Sequence, residues 1–181
     1  MRVYAIDPGP EKSAWVYIDG ESDPAVVMDF GWQPNCEIAM WSSTPVAIEM
    51  IESYGMAVGA DVFQTCIEIG RFVQRFGGEK WVTLIGRKAI KLNLCGSSRA
   101  KDANIRQAII DRYGGSAAIR KGGPLYKVSS HIWAALAVGL TYLDQQKDEN
   151  SKPEPDMRHK RAMQESQEYA KALKALEGDD A

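Results

Sequence analysis

The sequence is poor in cysteine and in long apolar runs. Its three cysteines, at positions 36, 66 and 95 of 181, form no CxxC pair, which argues against a disulfide framework or a typical zinc site. No apolar run approaches the length of a membrane span, about 18 residues. The start, MRVYAIDPG, carries an early aspartate that a secretory signal lacks. These absences predict a cytoplasmic protein with free thiols and no membrane partner.

Basic residues are almost missing from the first part of the chain and concentrated in the middle. The net charge is −2, but residues 1–70 carry 2 basic and 11 acidic side chains, and residues 71–127 carry 13 basic and 3 acidic ones. Residues 128–181 carry 7 basic and 10 acidic side chains. A solvated surface mixes both signs, so the excess in the middle segment indicates a polyanionic partner such as nucleic acid. The alternative is an ordinary basic surface.

Hydrophobic patterning predicts an α/β domain with three layers. Short apolar or alternating runs predict five strands, over residues 2–6, 13–18, 25–30, 45–51 and 80–85. Apolar residues at spacings of three and four predict three helices, over residues 60–76, 101–113 and 129–143. Four glycines and two cations mark residues 114–124 as a basic loop.

The composition changes near the end of the last predicted helix. We expect one domain over residues 1–144, a polar linker over 145–156 that contains two prolines, and a helix-prone tail over 157–181. The tail has a weak seven-residue apolar spacing, which fits either a solvated helix or a short oligomer contact.

Two carboxylates interrupt apolar strands. Asp7 ends the first predicted strand before a Pro-Gly turn, and Glu49 lies inside the run VAIEM. A buried, unpaired carboxylate costs several kcal/mol, so each needs an arginine, a metal ion or a raised pKa. Hard oxygen ligands from neighbouring strands fit Mg²⁺ or Mn²⁺. His131 begins the apolar helix, where it is either a third ligand or a helix cap.

Four segments together resemble the RuvC-type Holliday junction resolvases. AIDPGPEKSAWV is similar to that family's first strand and Asp-Pro-Gly turn, and VAIEM is similar to its strand with the second catalytic acid. IKLNLCGSSRAKDANIRQAI resembles the basic loop and following helix, and HIWAALAVGLTYL resembles the last helix. The resemblance spans residues 2 to about 143 in order, and the short chain is similar to the phage-encoded members.

This resemblance implies an RNase H-like fold, with a mixed five-stranded sheet flanked by helices, and a homodimer. It implies a metal-dependent crossover junction endodeoxyribonuclease in a bacterial or phage-infected cytoplasm, with no small-molecule cofactor. Asp7, Glu49 and His131 fall on catalytic metal ligands, and Lys91 falls on a lysine near the scissile phosphate. Four-way junctions, flaps and forks all fit this expectation.

The sequence departs from the family pattern at two important positions. The acid expected three residues after His131 is Ala134, and a family lysine is replaced by Asp102. Asp102 is therefore a candidate for the missing ligand, or it is an acid that the helix dipole favours at a helix start. With it, we expect two divalent ions, Mg²⁺ or Mn²⁺, held by Asp7, Glu49, His131 and Asp102.

Cations of the middle segment are the candidate DNA contacts. They are Arg87, Lys88, Lys91, Arg99, Lys101, Arg106, Arg120 and Lys121. Tyr54 and Trp133 could stack on an unpaired base, although core packing is the expected role of Trp133. The alternatives are a junction-binding protein with a weakened catalytic site and, from another class, a fragment of an actin-like phosphotransferase, whose phosphate loop also resembles Asp-Pro-Gly.

Overall fold

The computed structural model of the chain describes residues 1–39, 44–53, 55 and 57–151. Internal contacts divide the chain into Met1–Gln146 and Lys147–Ala181. The fold described below is that of the first unit, and of the second unit only the end of the last helix belongs to the described residues. Tyr54 and the predicted tail lie outside them. Within the described part, no helix is long and apolar enough to cross a membrane.

Five strands form one mixed sheet, as predicted. They are β1 (Arg2–Asp7), β2 (Lys12–Asp19), β3 (Val26–Pro34), β4 (Val46–Met50) and β5 (Val82–Gly86). Their order across the sheet is β3-β2-β1-β4-β5, with β2 antiparallel to both of its neighbours, β1 and β3, and with β4 and β5 parallel to β1. The carboxyl ends of β1, β4 and β5 therefore meet at one edge, where ligands commonly bind in α/β sheets.

Four helices accompany the sheet in the described residues. They are α1 (Ala60–Arg75), α2 (Arg87–Cys95), α3 (Asp102–Arg112) and α4 (Ile132–Ser151). The sequence predicted three of them, and α2 is an addition. The prediction of a linker from residue 145 was wrong at its start, because α4 continues to Ser151 through residues that favour helices. The wider division into domain, linker and tail stays a prediction.

The two faces of the sheet bury two separate apolar clusters. Val3 and Ala5 of β1 pack in the cluster that includes α2, α3 and α4, while Tyr4 and Ile6 pack in the cluster that includes α1. Successive side chains of a strand point to opposite faces, so β1 serves both cores. The result is helix, sheet and helices in three layers, which confirms the predicted α/β architecture.

One arginine ties the helical layer to the turn between β2 and β3. Arg112 of α3 donates to both carboxylate oxygens of Asp144 in α4, at 2.8 and 2.9 Å, and to Asp23, at 3.2 Å. The hydrogen bonds to Asp144 are the main reason that the pKa of Arg112 lies above its ordinary value. This contact fixes α3 against α4 at a point distant from the starts of both helices, where Asp102 and His131 lie.

Candidate active site

Asp7 and Glu49 lie side by side at the carboxyl ends of two parallel strands. Ile6 of β1 is in register with Ile48 of β4, so the next residue of each strand is the carboxylate. Alternation along both strands places Asp7 and Glu49 on the face that α2, α3 and α4 cover. The adjacency that the sequence suggested is therefore present, and it arises from parallel pairing of segments about 40 residues apart.

A buried polar network holds the turn that follows Asp7. The Ser13 hydroxyl donates to the Asn35 side-chain oxygen at 2.7 Å and accepts the backbone N–H of Gly9 at 3.2 Å. The Asn35 amide donates to the Gly9 carbonyl at 3.0 Å. A Cβ at Gly9 would collide with the carbonyl oxygen of Lys12, so the turn needs glycine there. The network fixes the backbone from which Asp7 projects.

His131 directly precedes α4 and pairs with Asp7. Its Nδ1 lies 3.0 Å from Asp7 Oδ2, and its carbonyl accepts the N–H groups of Ala134 and Ala135 in the first turn. Burial raises the pKa of Asp7 above its ordinary value, and the bond to His131 opposes that rise. With Nδ1 donating to Asp7, the lone pair available for a metal is on Nε2.

Arg87, the first residue of α2, lies between two carboxylates. Its Nη1 donates to both oxygens of Glu49, at 3.2 and 3.1 Å, and its Nη2 donates to Asp102 at 2.6 Å. Burial raises the pKa of Glu49 to about 7, and Arg87 partly offsets this rise. The sequence placed Arg87 among the DNA contacts, whereas the structure pairs it with the carboxylates. The sequence suggested an arginine as one possible partner of a buried carboxylate, and Arg87 is that partner for Glu49.

One cavity of about 460 Å³ collects most of the predicted catalytic residues. Those that line it are Asp7, Glu49, Asp102 and His131, together with Arg87, Ile105, Arg106, Ser130, Trp133 and Ala134. Lys91, the predicted phosphate contact, is half-buried on α2 and does not line this cavity. Asp102, with a side chain 79 % exposed, faces the cavity from the start of α3.

The cavity has the donor set and the charge that suit a divalent cation. Two adjacent carboxylates offer hard oxygen ligands, and three acidic groups line the cavity with two arginines, of which Arg87 bonds to Glu49 and Asp102. In the described residues, however, no three histidine, cysteine or acidic side chains are close enough to form a metal cage. Mg²⁺ in enzymes is commonly held by one or two carboxylates plus substrate phosphates, so the residues present fit such an ion.

The remaining cations of the middle segment are mostly exposed. Exposed side chains among the predicted DNA contacts are Lys88, Arg99, Lys101, Arg106, Arg120 and Lys121. Arg106 lies over the ring of Trp133, at 5.0 Å from its centroid. Trp133 is buried in the core cluster, which confirms the structural role expected for it.

Two groups at this edge were not predicted from the sequence. The Glu52 carboxylate accepts the backbone N–H of Lys88, in the first turn of α2, at 2.7 Å. This hydrogen bond helps to fix the position of Arg87, the first residue of that helix. Trp32 of β3 is 59 % exposed and lies beside His131. The sequence shows an aromatic residue close to a predicted strand. Only the strand order of the sheet shows that β3 is an edge strand and that it lies near Asp7.

A mixed sheet of this order, with helices on both faces and acids at the ends of β1 and β4, defines an RNase H-like fold. In particular, the chain shares the fold of RuvC from Thermus thermophilus. The superposition has a TM-score of 0.56 at 18% identity, covering 82% of this chain and 97% of that one. For T. thermophilus RuvC in complex with a Holliday junction substrate, the TM-score is 0.59 at 18% identity, covering 84% and 99%. No protein-family model and no curated protein sequence matches the chain.

Proposed function

We propose that this protein is a divalent-metal-dependent endonuclease that cuts phosphodiester bonds in branched DNA, with the four-way junction as its main substrate. The observation that carries the proposal is the meeting of Asp7, Glu49 and His131 in one cavity, on the fold of RuvC. One of the compared RuvC structures holds a Holliday junction substrate, which makes this the first DNA to test.

Asp7 and Glu49 would hold the metal, with Nε2 of His131 as a further donor. A bound Mg²⁺ or Mn²⁺ would activate water and neutralise charge on the phosphate. Two ions remain the hypothesis from sequence, and Asp102, whose Oδ1 accepts from Arg87, is the candidate ligand of the second one. The imidazole donor favours Mn²⁺ at least as much as Mg²⁺.

The cations around the cavity would bind the DNA backbone. Arg106 lines the cavity itself, while Lys101 precedes α3 and Lys88 lies in the first turn of α2. Contacts to phosphates position a duplex without reading its sequence. This arrangement supports selection by the shape of a junction, whose helices pass close to one another.

Cleavage of a synthetic four-way junction tests the proposal. With Mg²⁺ or Mn²⁺, the protein should cut the junction and leave a linear duplex of the same sequence intact. Asp7→Asn should abolish cutting and retain junction binding, because it removes a ligand and leaves the basic surface unchanged. Asp61→Asn, which changes an exposed aspartate in the first turn of α1 on the other face of the sheet, is the matched control and should cut normally. Cutting by Asp7→Asn would show that the site is wrongly assigned.

A second candidate is a junction-binding protein with a weakened catalytic site. Ala134 in place of an acid and the arginine held by Glu49 favour it. Such a protein would shift the junction in a gel and leave it uncut even in Mn²⁺. The same cleavage experiment therefore separates the two functions.

We further propose that the protein acts as a homodimer, since a junction offers two symmetric strands for cutting. Phe63 and Ile67 lie one turn apart on α1 and are exposed, so they supply an apolar surface for a second copy. Sedimentation equilibrium should give twice the chain mass, and Phe63→Lys should shift the protein toward monomer. A monomeric wild-type protein would contradict this part of the proposal.

A further inference from the structure

A second cavity lies next to the candidate active site. It measures about 450 Å³ and shares Asp7 and His131 with the first cavity. Its other walls are the turn after β1 and two side chains of the neighbouring strands, Lys12 and Trp32. A group bound in it would therefore lie beside the reacting phosphate.

Trp32 and Asp7 belong to one row of residues across the sheet. Asp7 pairs with Ala14 of β2, and Ala14 pairs with Trp32 of β3, so all three side chains share a face. At about 4.8 Å between strands, Trp32 lies roughly 10 Å from Asp7. The side chain of Ala14 is small, so there is room above it for the imidazole of His131. The centroids of the His131 and Trp32 rings are 6.2 Å apart, and the ring planes are inclined by 20°.

The surroundings of Trp32 differ from those of a core tryptophan. Its side chain is exposed, and the ammonium group of Lys12 lies 5.5 Å from its ring centroid. Lys12 is itself exposed. When a nucleobase displaces the Lys12 ammonium group from the ring of Trp32, that charge is available to a phosphate. A flat apolar face with a mobile cation beside it matches the two parts of a nucleotide, the base and its phosphate.

We propose that Trp32 is a stacking platform for an unpaired nucleobase adjacent to the cleaved phosphate, with Lys12 as the contact for the neighbouring phosphate. The inference rests on the proposed function, since it assumes that branched DNA enters the first cavity. A base becomes available only where pairing is disturbed, and displacing it costs least at a branch point. Trp32 therefore favours branched DNA over an intact duplex.

The test uses four-way junctions that carry 2-aminopurine, a fluorescent base, at each position around the crossover in turn. Binding is measured in EDTA, so that no cleavage accompanies it. The wild-type protein should change the fluorescence at one or two positions. Trp32→Ala should lose that change and bind the junction about tenfold more weakly, with its affinity for linear duplex unaltered. Trp32→Phe should retain most of both effects, because a phenyl ring still stacks.

Trp81→Ala is the matched control. Trp81 is also an exposed tryptophan with a lysine over its ring, Lys80 at 5.6 Å, but it precedes β5 and so lies at the opposite edge of the sheet. The Trp81→Ala variant should show the same fluorescence change and the same junction affinity as the wild-type protein. An unchanged fluorescence signal in Trp32→Ala, or an equal loss in Trp81→Ala, would overturn the stacking site. Failure to cut a junction in metal, with the signal intact, would instead remove only the nuclease proposal.

Discussion

The Arg87 guanidinium joins Glu49 to Asp102, with Nη1 3.1 Å from Glu49 Oε2 and Nη2 2.6 Å from Asp102 Oδ1. This one side chain, 21 % exposed, places a positive charge where the sequence predicted that carboxylates would bind metal ions. A carboxylate can hold a metal ion and a guanidinium on different lone pairs, but the two cations repel each other, so Arg87 opposes metal binding at Glu49.

Arg87→Gln should therefore raise the affinity for Mn²⁺, by about tenfold or more at pH 8, because a competing cation is removed. Titration calorimetry measures this directly and without DNA. Arg106→Gln is the control, since it removes the same charge from the same cavity but from a residue that lies over Trp133. Equal affinities in the wild-type and Arg87→Gln proteins would show that Arg87 does not compete with the ion.

The raised pKa of Glu49 predicts a pH dependence of metal binding. Because a metal ligand must lose its proton, Mn²⁺ affinity should fall about tenfold per pH unit below a pKa of about 7 and level off above it. Glu49→Gln should show weak binding with a flatter profile. An affinity independent of pH between 5 and 8 would contradict the pKa assigned to Glu49.

The raised pKa of Glu49 also predicts how the free energy of unfolding changes with pH in the absence of metal. The pKa of Glu49 is raised from 4.5 to about 7 in the folded protein, so between these values the folded state holds a proton that the unfolded state releases. The free energy of unfolding should fall as pH rises through this window, by up to about 1.4 kcal/mol per pH unit. Melting temperatures in EDTA should show a smaller decline for Glu49→Gln.

The contact between Arg112 and Asp144 should contribute substantially to stability. Arg112→Ala removes two charged hydrogen bonds from the half-buried Asp144 carboxylate, which keeps the bond from Asn93, and should cost about 1.5–3 kcal/mol in urea unfolding. Arg112→Lys keeps the charge but not the paired geometry, so it should recover only part of the loss. Arg2→Ala is the control, because its ion pair with Asp19 lies at the surface and should contribute little.

The basic loop predicts a salt dependence of junction binding. Each phosphate neutralised by a cation contributes about −0.9 to the slope of log K against log salt concentration. Replacing Arg120 and Lys121 by glutamine should make this slope less negative in fluorescence anisotropy titrations. Arg71→Gln is the comparison, since Arg71 belongs to the same basic segment but lies on α1, on the other face of the sheet. An unchanged slope in the double variant would exclude the loop from the interface.

Local pattern was enough to predict most elements but not α2. Residues 80–85 form a short, largely apolar run before Gly86, and residues 60–76 have helical spacing, so both segments were recognisable from the sequence. The segment Arg87–Cys95 is short and polar on most sides, with Ile90 as its one fully buried residue. Such a helix is formed by packing in its tertiary context rather than by its own periodicity.

The chain alone determined the alternation that buries β1 on both faces, the turn after Asp7, and the presence of acids inside apolar strands, since each depends on neighbours along the sequence. Tertiary structure decided what those acids contact. Parallel pairing placed Asp7 beside Glu49, the position of α2 brought Arg87 between Glu49 and Asp102, and the strand order set Trp32 next to His131. Contacts between residues far apart in sequence depend on how whole elements pack, which no local pattern encodes.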